Sequence, residues 1–185
     1  MTRRLVLATA SLALLYGCAA VPDDAPIVEK LDQDTGLTVA RIGRPVEMYR
    51  DSFLKDVTGR FAFLGPFETN QMGARETFLW IAVPIELAEI DDPPQVQVDG
   101  APLELGTPGR SPEFAGLMRS PYKVPTPWSA TFYYRVDPAL LDRLGMAKSL
   151  TLQVMEPTRK GPAQVDFAVE LDPADSRLRD FAQRH

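Results

Sequence analysis

The stretch that decides the fold is Phe61-Ala62-Phe63-Leu64-Gly65-Pro66-Phe67-Glu68. It is answered by Thr77-Phe78-Leu79-Trp80-Ile81-Ala82-Val83 across Asn70-Gln71-Met72-Gly73-Ala74-Arg75. Two β-rich runs split by a short polar loop that contains glycine predict a hairpin. Side chains alternate between the faces of a strand, so Phe78, Trp80 and Ala82 share one side and Leu79, Ile81 and Val83 the other. Both sides are apolar, which predicts a central strand covered on both faces. Gly65-Pro66 predicts a bulge or bend in the first strand, since proline cannot donate to a central ladder.

Working outward, the same texture continues in both directions. Residues 37–41 alternate between Gly36 and Gly43, and Val46-Glu47-Met48-Tyr49 alternates after Pro45. Val96-Gln97-Val98, the turn dipeptide Asp99-Gly100 and Leu103-Glu104-Leu105 predict a second hairpin. Residues 106–128 differ: five prolines and three glycines predict a long irregular loop, with one helical turn near 113–118. Residues 129–136 resume a strand with Phe132, Tyr134 and Val136 on one face and Thr131, Tyr133 and Arg135 on the other. Asp137 as cap and Pro138 at the first position open a short helix, which Gly145 ends. Residues 150–154 and 165–169 are two further alternating strands. Asp172 and Pro173 repeat the capping pattern before a C-terminal helix carrying Leu178, Phe181 and Ala182. The expected fold is mainly β: an antiparallel, immunoglobulin-like β-sandwich with one short crossover helix and a C-terminal helix.

The N-terminus carries a different signal. Arg3 and Arg4 precede residues 5–15, which are apolar apart from Thr9 and Ser11. A charged start, an apolar run and a small residue before a cleavage point make an export signal. The run is shorter than the roughly 20 residues a spanning helix needs. It ends at Leu15-Tyr16-Gly17-Cys18, which resembles the lipobox of bacterial lipoproteins. Leu15 and Gly17 match the family's positions, whereas Tyr16 stands where a small or β-branched residue is usual. The resemblance implies a diacylglyceryl group on the Cys18 thiol, cleavage between Gly17 and Cys18, and acylation of the freed amine. Ala19 after the cysteine implies sorting to the outer membrane, facing the periplasm, rather than retention in the inner membrane. The alternative is an ordinary signal peptide and a soluble secreted protein. The expected organisation is a signal peptide over 1–17, a lipidated N-terminus and tether over 18–30, and one domain over 31–185. Ile27-Val28 as the start of an edge strand is the competing reading of the tether.

Composition narrows the chemistry. The chain has 185 residues and a formal charge of −5; loss of Arg3 and Arg4 with residues 1–17 takes it to −7. An acidic chain lacks the basic footprint of a nucleic-acid partner. Cys18 is the only cysteine, and the only histidine is the terminal His185. Acylation of Cys18 leaves no thiol for a disulfide, and neither a His-based catalytic triad nor a transition-metal site has its ligands. Asp32-Gln33-Asp34-Thr35-Gly36 resembles the start of a calcium loop, but Gly stands fifth and Gly43 occupies position twelve, which leaves a solvated turn. Asp91-Asp92-Pro93-Pro94 reads as exposed loop.

No cofactor is expected beyond the covalent lipid. The expected partners are the membrane, through the anchor, and an envelope protein or glycan bound by a non-catalytic module. Tyr122, Trp128 and Tyr133 form the candidate binding patch beside the proline-rich loop, against the alternative of a second buried face beneath it. An enzyme using carboxylates without histidine is the rival function, and it requires convergent acids in a cleft.

Overall fold

A computed structural model describes residues 25–50, 61–84, 87, 92–123 and 129–184. Among them are ten strands, a 3₁₀ turn and two helices. The strands are β1 (Ile27–Leu31), β2 (Thr38–Ile42), β3 (Val46–Arg50), β4 (Phe61–Gln71), β5 (Ala74–Pro84), β6 (Gln95–Val98), β7 (Ala101–Pro102), β8 (Ser129–Arg135), β9 (Ser149–Glu156) and β10 (Ala163–Glu170). Helix α1 is Pro138–Gly145, helix α2 is Arg177–Ala182 and the 3₁₀ turn is Pro112–Ala115. All strand pairs are antiparallel. The chain is therefore mainly β and antiparallel with two helices, as its pattern predicts.

The hairpin predicted over 61–83 lies at the centre of the sheet. β4 and β5 pair from Phe63↔Ala82 to Gln71↔Ala74. The loop between them is shorter than its polar sequence suggests. Only Met72 and Gly73 turn, both at positive φ (52° and 94°), and the Gly73 N–H donates to Asn70 Oδ1 at 2.9 Å. Two successive positive-φ residues match the right-handed twist of the flanking strands, so the strands run up to the turn.

The bend expected at Gly65-Pro66 lies on one edge only. Towards β5 the pairing is unbroken, with Gly65 opposite Trp80 and Pro66 opposite Leu79. On the other edge β2 and β3 share β4, through Arg41↔Phe67 and Val46↔Leu64. Residues 42–45 thus stand against Gly65 and Pro66 alone, and the edge breaks where proline has no N–H to give.

All ten strands belong to one hydrogen-bonded sheet. Register carries one face through it. Phe132 pairs Ile81, Ile81 pairs Leu64, and Leu64 pairs Val46. Two and four residues on from Val46, Met48 and Arg50 share that face, and Arg50 pairs Phe167, which pairs Leu152, which pairs Val96. Every apolar member of this series is buried. This inner face is the main core, joined by Leu141 and Leu144 of α1 and Leu178 and Phe181 of α2. The outer face of β9 and β10 is polar, with Gln153, Gln164 and Asp166 reaching solvent to differing degrees.

Helix α1 forms as its sequence predicts, with Asp137 accepting from the Leu140 N–H at 2.8 Å and Pro138 at the first position. Helix α2 starts later than the Asp172-Pro173 pattern implies. Asp172 caps only a turn, taking the Ala174 N–H at 2.8 Å, and the helix begins after Ser176. Gly145 does more than end α1: a Cβ there would lie 2.9 Å from Ala182 Cβ, so it also lets α2 approach.

The N-terminal boundary needs correction. The tether assigned to 18–30 is an edge strand from Ile27, paired with β2 from Ile27↔Ile42 to Leu31↔Thr38. Burying Val28 against the sheet outweighs the disorder that the nearby prolines and aspartates suggest. Residues 1–24, with Gly17 and Cys18, lie outside the described residues.

Candidate functional site

The outer face of β4, β5 and β8 is buried where that of β9 and β10 is not. Register aligns Phe67 with Phe78 and Gly65 with Trp80 and Tyr133, and each of these side chains is fully buried. Their cover is the proline-rich loop, held at successive points. Gly109 forms a two-way backbone bridge with Tyr133, 2.9 Å in each direction. Phe114 sits against Gly109, where a Cβ would lie 2.2 Å from its Cγ, and its ring meets Phe78 edge-on at 6.3 Å. Gly116, at φ 72°, ends the 3₁₀ turn. The Tyr122 hydroxyl then donates to the Pro66 carbonyl, at the gap in the β4 ladder.

Tyr122 explains why residue 65 is glycine. A Cβ on Gly65 would stand 2.6 Å from Tyr122 Cζ. The Tyr122 ring lies 5.0 Å from that of Trp80, and the Arg41 guanidinium stands 5.3 Å from its centroid. Burial pushes the Tyr122 phenol well above its ordinary value, although Arg41 opposes the shift. Burial also raises Tyr133. Its hydroxyl, Trp80 Nε1 and Ser120 Oγ are buried without a hydrogen-bond partner, though Ser120, Thr131 and Trp80 all stand close to that hydroxyl.

The candidate patch of Tyr122, Trp128 and Tyr133 is therefore not a surface. Tyr122 is 2% exposed and Tyr133 0%; Trp128 lies outside the described residues. The alternation that puts Tyr133 opposite Tyr134 is correct. The face that Tyr133 occupies is closed by the loop, as the competing reading has it.

An open groove of about 810 Å³ lies beside that cover. Its walls are the β1–β2 hairpin, the 43–45 break and loop residues 117–123, with Val28, Val39, Phe63 and Leu117 supplying apolar surface. Five cations line it, Lys30, Arg41, Arg44, Arg119 and Lys123, against the carboxylates of Asp32, Asp34 and Glu47. Each of those carboxylates has a partner, that of Glu47 being the Tyr49 hydroxyl. Asp32 caps its own turn, accepting the Asp34 N–H at 3.1 Å, and Asp34 meets Arg119 at 3.3 Å. Arg41 is half-buried and donates to the Ile42 carbonyl at 3.0 Å. Lys30, Arg44 and Lys123 are exposed and make no ion pair among the described residues.

The segment read as a solvated turn, Asp32-Gln33-Asp34-Thr35-Gly36, is one, closed by the Gly36 N–H on the Asp32 carbonyl at 2.7 Å. What its sequence does not signal is that it forms one wall of the groove. Among the described residues no group of His, Cys, Asp and Glu is arranged to hold a metal ion. No helix among them is long and apolar enough to cross a membrane. No family model, no curated protein and no solved structure matches the chain.

Proposed function

We propose that the chain is a bacterial envelope lipoprotein, held by acyl chains on Cys18 at the outer membrane and facing the periplasm. Its domain is a non-catalytic binding module, a curled antiparallel sandwich of immunoglobulin-like character with β4 bent between its layers. The groove beside the proline-rich loop is its ligand site. The observation that carries this reading is charge. A chain of net −5 gathers five cations around one groove, and three of them have no ion-pair partner among the described residues. Such a site selects an anionic envelope component by charge complementarity.

Two measurements test it. Mass analysis and membrane fractionation of the native chain against Cys18→Ala read the anchor: the native chain carries lipid mass and sediments with membrane, and the variant does neither. Photo-crosslinking in cells from position 123, in the groove, against position 168, on the bare outer face of β10, reads the site. Adducts from 123 alone support the groove; equal yields from both positions refute it.

The three groove carboxylates favour one second reading, a carboxylate-based enzyme. It requires turnover that Asp32→Asn or Glu47→Gln abolishes while folding is retained.

A further inference from the structure

The chain joins the fold beside the groove. The Pro26 carbonyl accepts the Gly43 N–H at 3.1 Å, and Gly43 and Arg44 both line the groove. Cys18 precedes Pro26 by eight residues, a reach of about 28 Å at full extension. A bilayer holding Cys18 is thus the one anionic surface always within range of Lys30, Arg44 and Lys123, at high effective concentration. The mature chain as a whole carries −7, so an anionic bilayer repels most of the domain and attracts this wall.

We infer, resting on the anchor proposed above, that the groove docks the phosphate headgroups of anionic phospholipids in the membrane that holds the chain. The exposed ammonium and guanidinium groups of Lys30, Arg44 and Lys123 meet the phosphates. The docking orients the domain with its groove towards the bilayer and its acidic remainder towards the periplasm. Each basic side chain near such a surface contributes about fivefold in partitioning, equivalent to about 1 kcal/mol. A free phosphate ester or an acidic protein offers the same charge without the tether.

The test uses the native acylated chain, reconstituted in vesicles of phosphatidylcholine alone or with added phosphatidylglycerol. Amine acylation followed by mass spectrometry reads the reactivity of Lys30 and Lys123, with Lys160 in the β9–β10 turn as reference. The expected result is about fivefold lower reactivity of Lys30 and Lys123 on the anionic vesicles, reversed by salt, with Lys160 unchanged. Arg44→Glu restores reactivity at both lysines, and Lys123→Gln restores it at Lys30. An unchanged Lys160 and an unchanged circular dichroism spectrum show that each variant is folded.

Equal reactivity on the two kinds of vesicle overturns the inference. So does equal protection by soluble glycerophosphoglycerol, which would make a free phosphate ester the ligand. Stronger protection by polyglutamate than by anionic vesicles overturns it in favour of a protein partner. Flotation on phosphatidylcholine alone reads the anchor separately. A chain that floats only on anionic vesicles lacks the anchor and still has the groove.

Discussion

The two faces of β5 are both buried, yet they are built differently. The inner face carries Leu79, Ile81 and Val83, which belong to one buried cluster with side chains of the other strands and of the helices. The outer face carries Phe78 and Trp80 and is closed by an irregular loop. A sheet brings aliphatic side chains into register without further help. A loop has no ladder, so aromatic rings of long reach fill the space beneath it and a few polar ties hold it down. The ties differ in quality. On the inner side Tyr134 donates to the Pro94 carbonyl at 2.8 Å, and on the outer side Tyr122 donates to Pro66, but among the described residues the Tyr133 hydroxyl and Trp80 Nε1 have polar neighbours and no well-formed hydrogen bond.

Truncation on each face tests whether both are core. Trp80→Ala is expected to cost about 4 kcal/mol and Ile81→Ala about 3 kcal/mol, read as shifts in the urea midpoint at unchanged slope. A Trp80→Ala cost below about 1 kcal/mol would mean that the loop does not close a second core.

Overfilling the outer face comes next. Gly65→Ala drives a methyl into the Tyr122 ring and is expected to cost about 2 kcal/mol. In a Tyr122→Leu background most of that cost disappears, since the two positions are coupled through one contact. A full Gly65→Ala penalty in both backgrounds would place the strain in the β4 bend rather than under the loop.

Hydroxyl removal separates tied from untied rings. Tyr122→Phe is expected to lose about 1 kcal/mol with its bond to Pro66. Tyr133→Phe is expected to stay within about 0.5 kcal/mol of the parent or to gain stability, because the buried hydroxyl it removes makes no well-formed hydrogen bond among the described residues. Thermal melts of the two variants side by side decide this.

The smallest effect near neutrality is the alkaline one. Burial raises Tyr122 and Tyr133 on the outer face and Tyr134 on the inner. A phenol raised in the fold contributes stability that is whole below its unfolded value of about 10 and declines as pH rises above it. Phenolate absorbance of these three should therefore appear together with unfolding. Tyr122→Phe should make the decline of stability above pH ~10 shallower by about 1.4 kcal/mol per pH unit. Phenolate absorbance from these rings in a still-folded chain would contradict their burial.

Local pattern reached the elements and stopped short of their assembly. Alternation in 77–83 reveals a strand covered on both faces, and Asp137-Pro138 and Asp99-Gly100 mark a helix start and a turn that form where they stand. Alternation cannot say what covers a face, so Tyr133 is open to two readings, an exposed patch or a second buried face, until the loop is placed over it. The groove is less legible still. Lys30, Arg44 and Lys123 come from distant parts of the chain, brought together because β2 and β3 both dock on β4 and the loop returns across it. Prolines and aspartates in 22–26 hide a strand that begins one residue later, since pairing with β2 is a long-range contact that composition does not carry.

β4 has a consequence for how the molecule comes apart. Its C-terminal half carries β2, and through it β1, while its N-terminal half carries β3, and through it β10, β9 and β6. If this strand is withdrawn, β1–β2, β5–β8 and β3–β10–β9–β6–β7 keep their own ladders but lose the one strand that joins them, and the core they share is opened. The domain should melt in a single cooperative step. A protease nick that frees β4 would dismantle the whole fold, whereas the Met72-Gly73 turn, where the strand ends at the surface, is the place to open the chain and rejoin its ends.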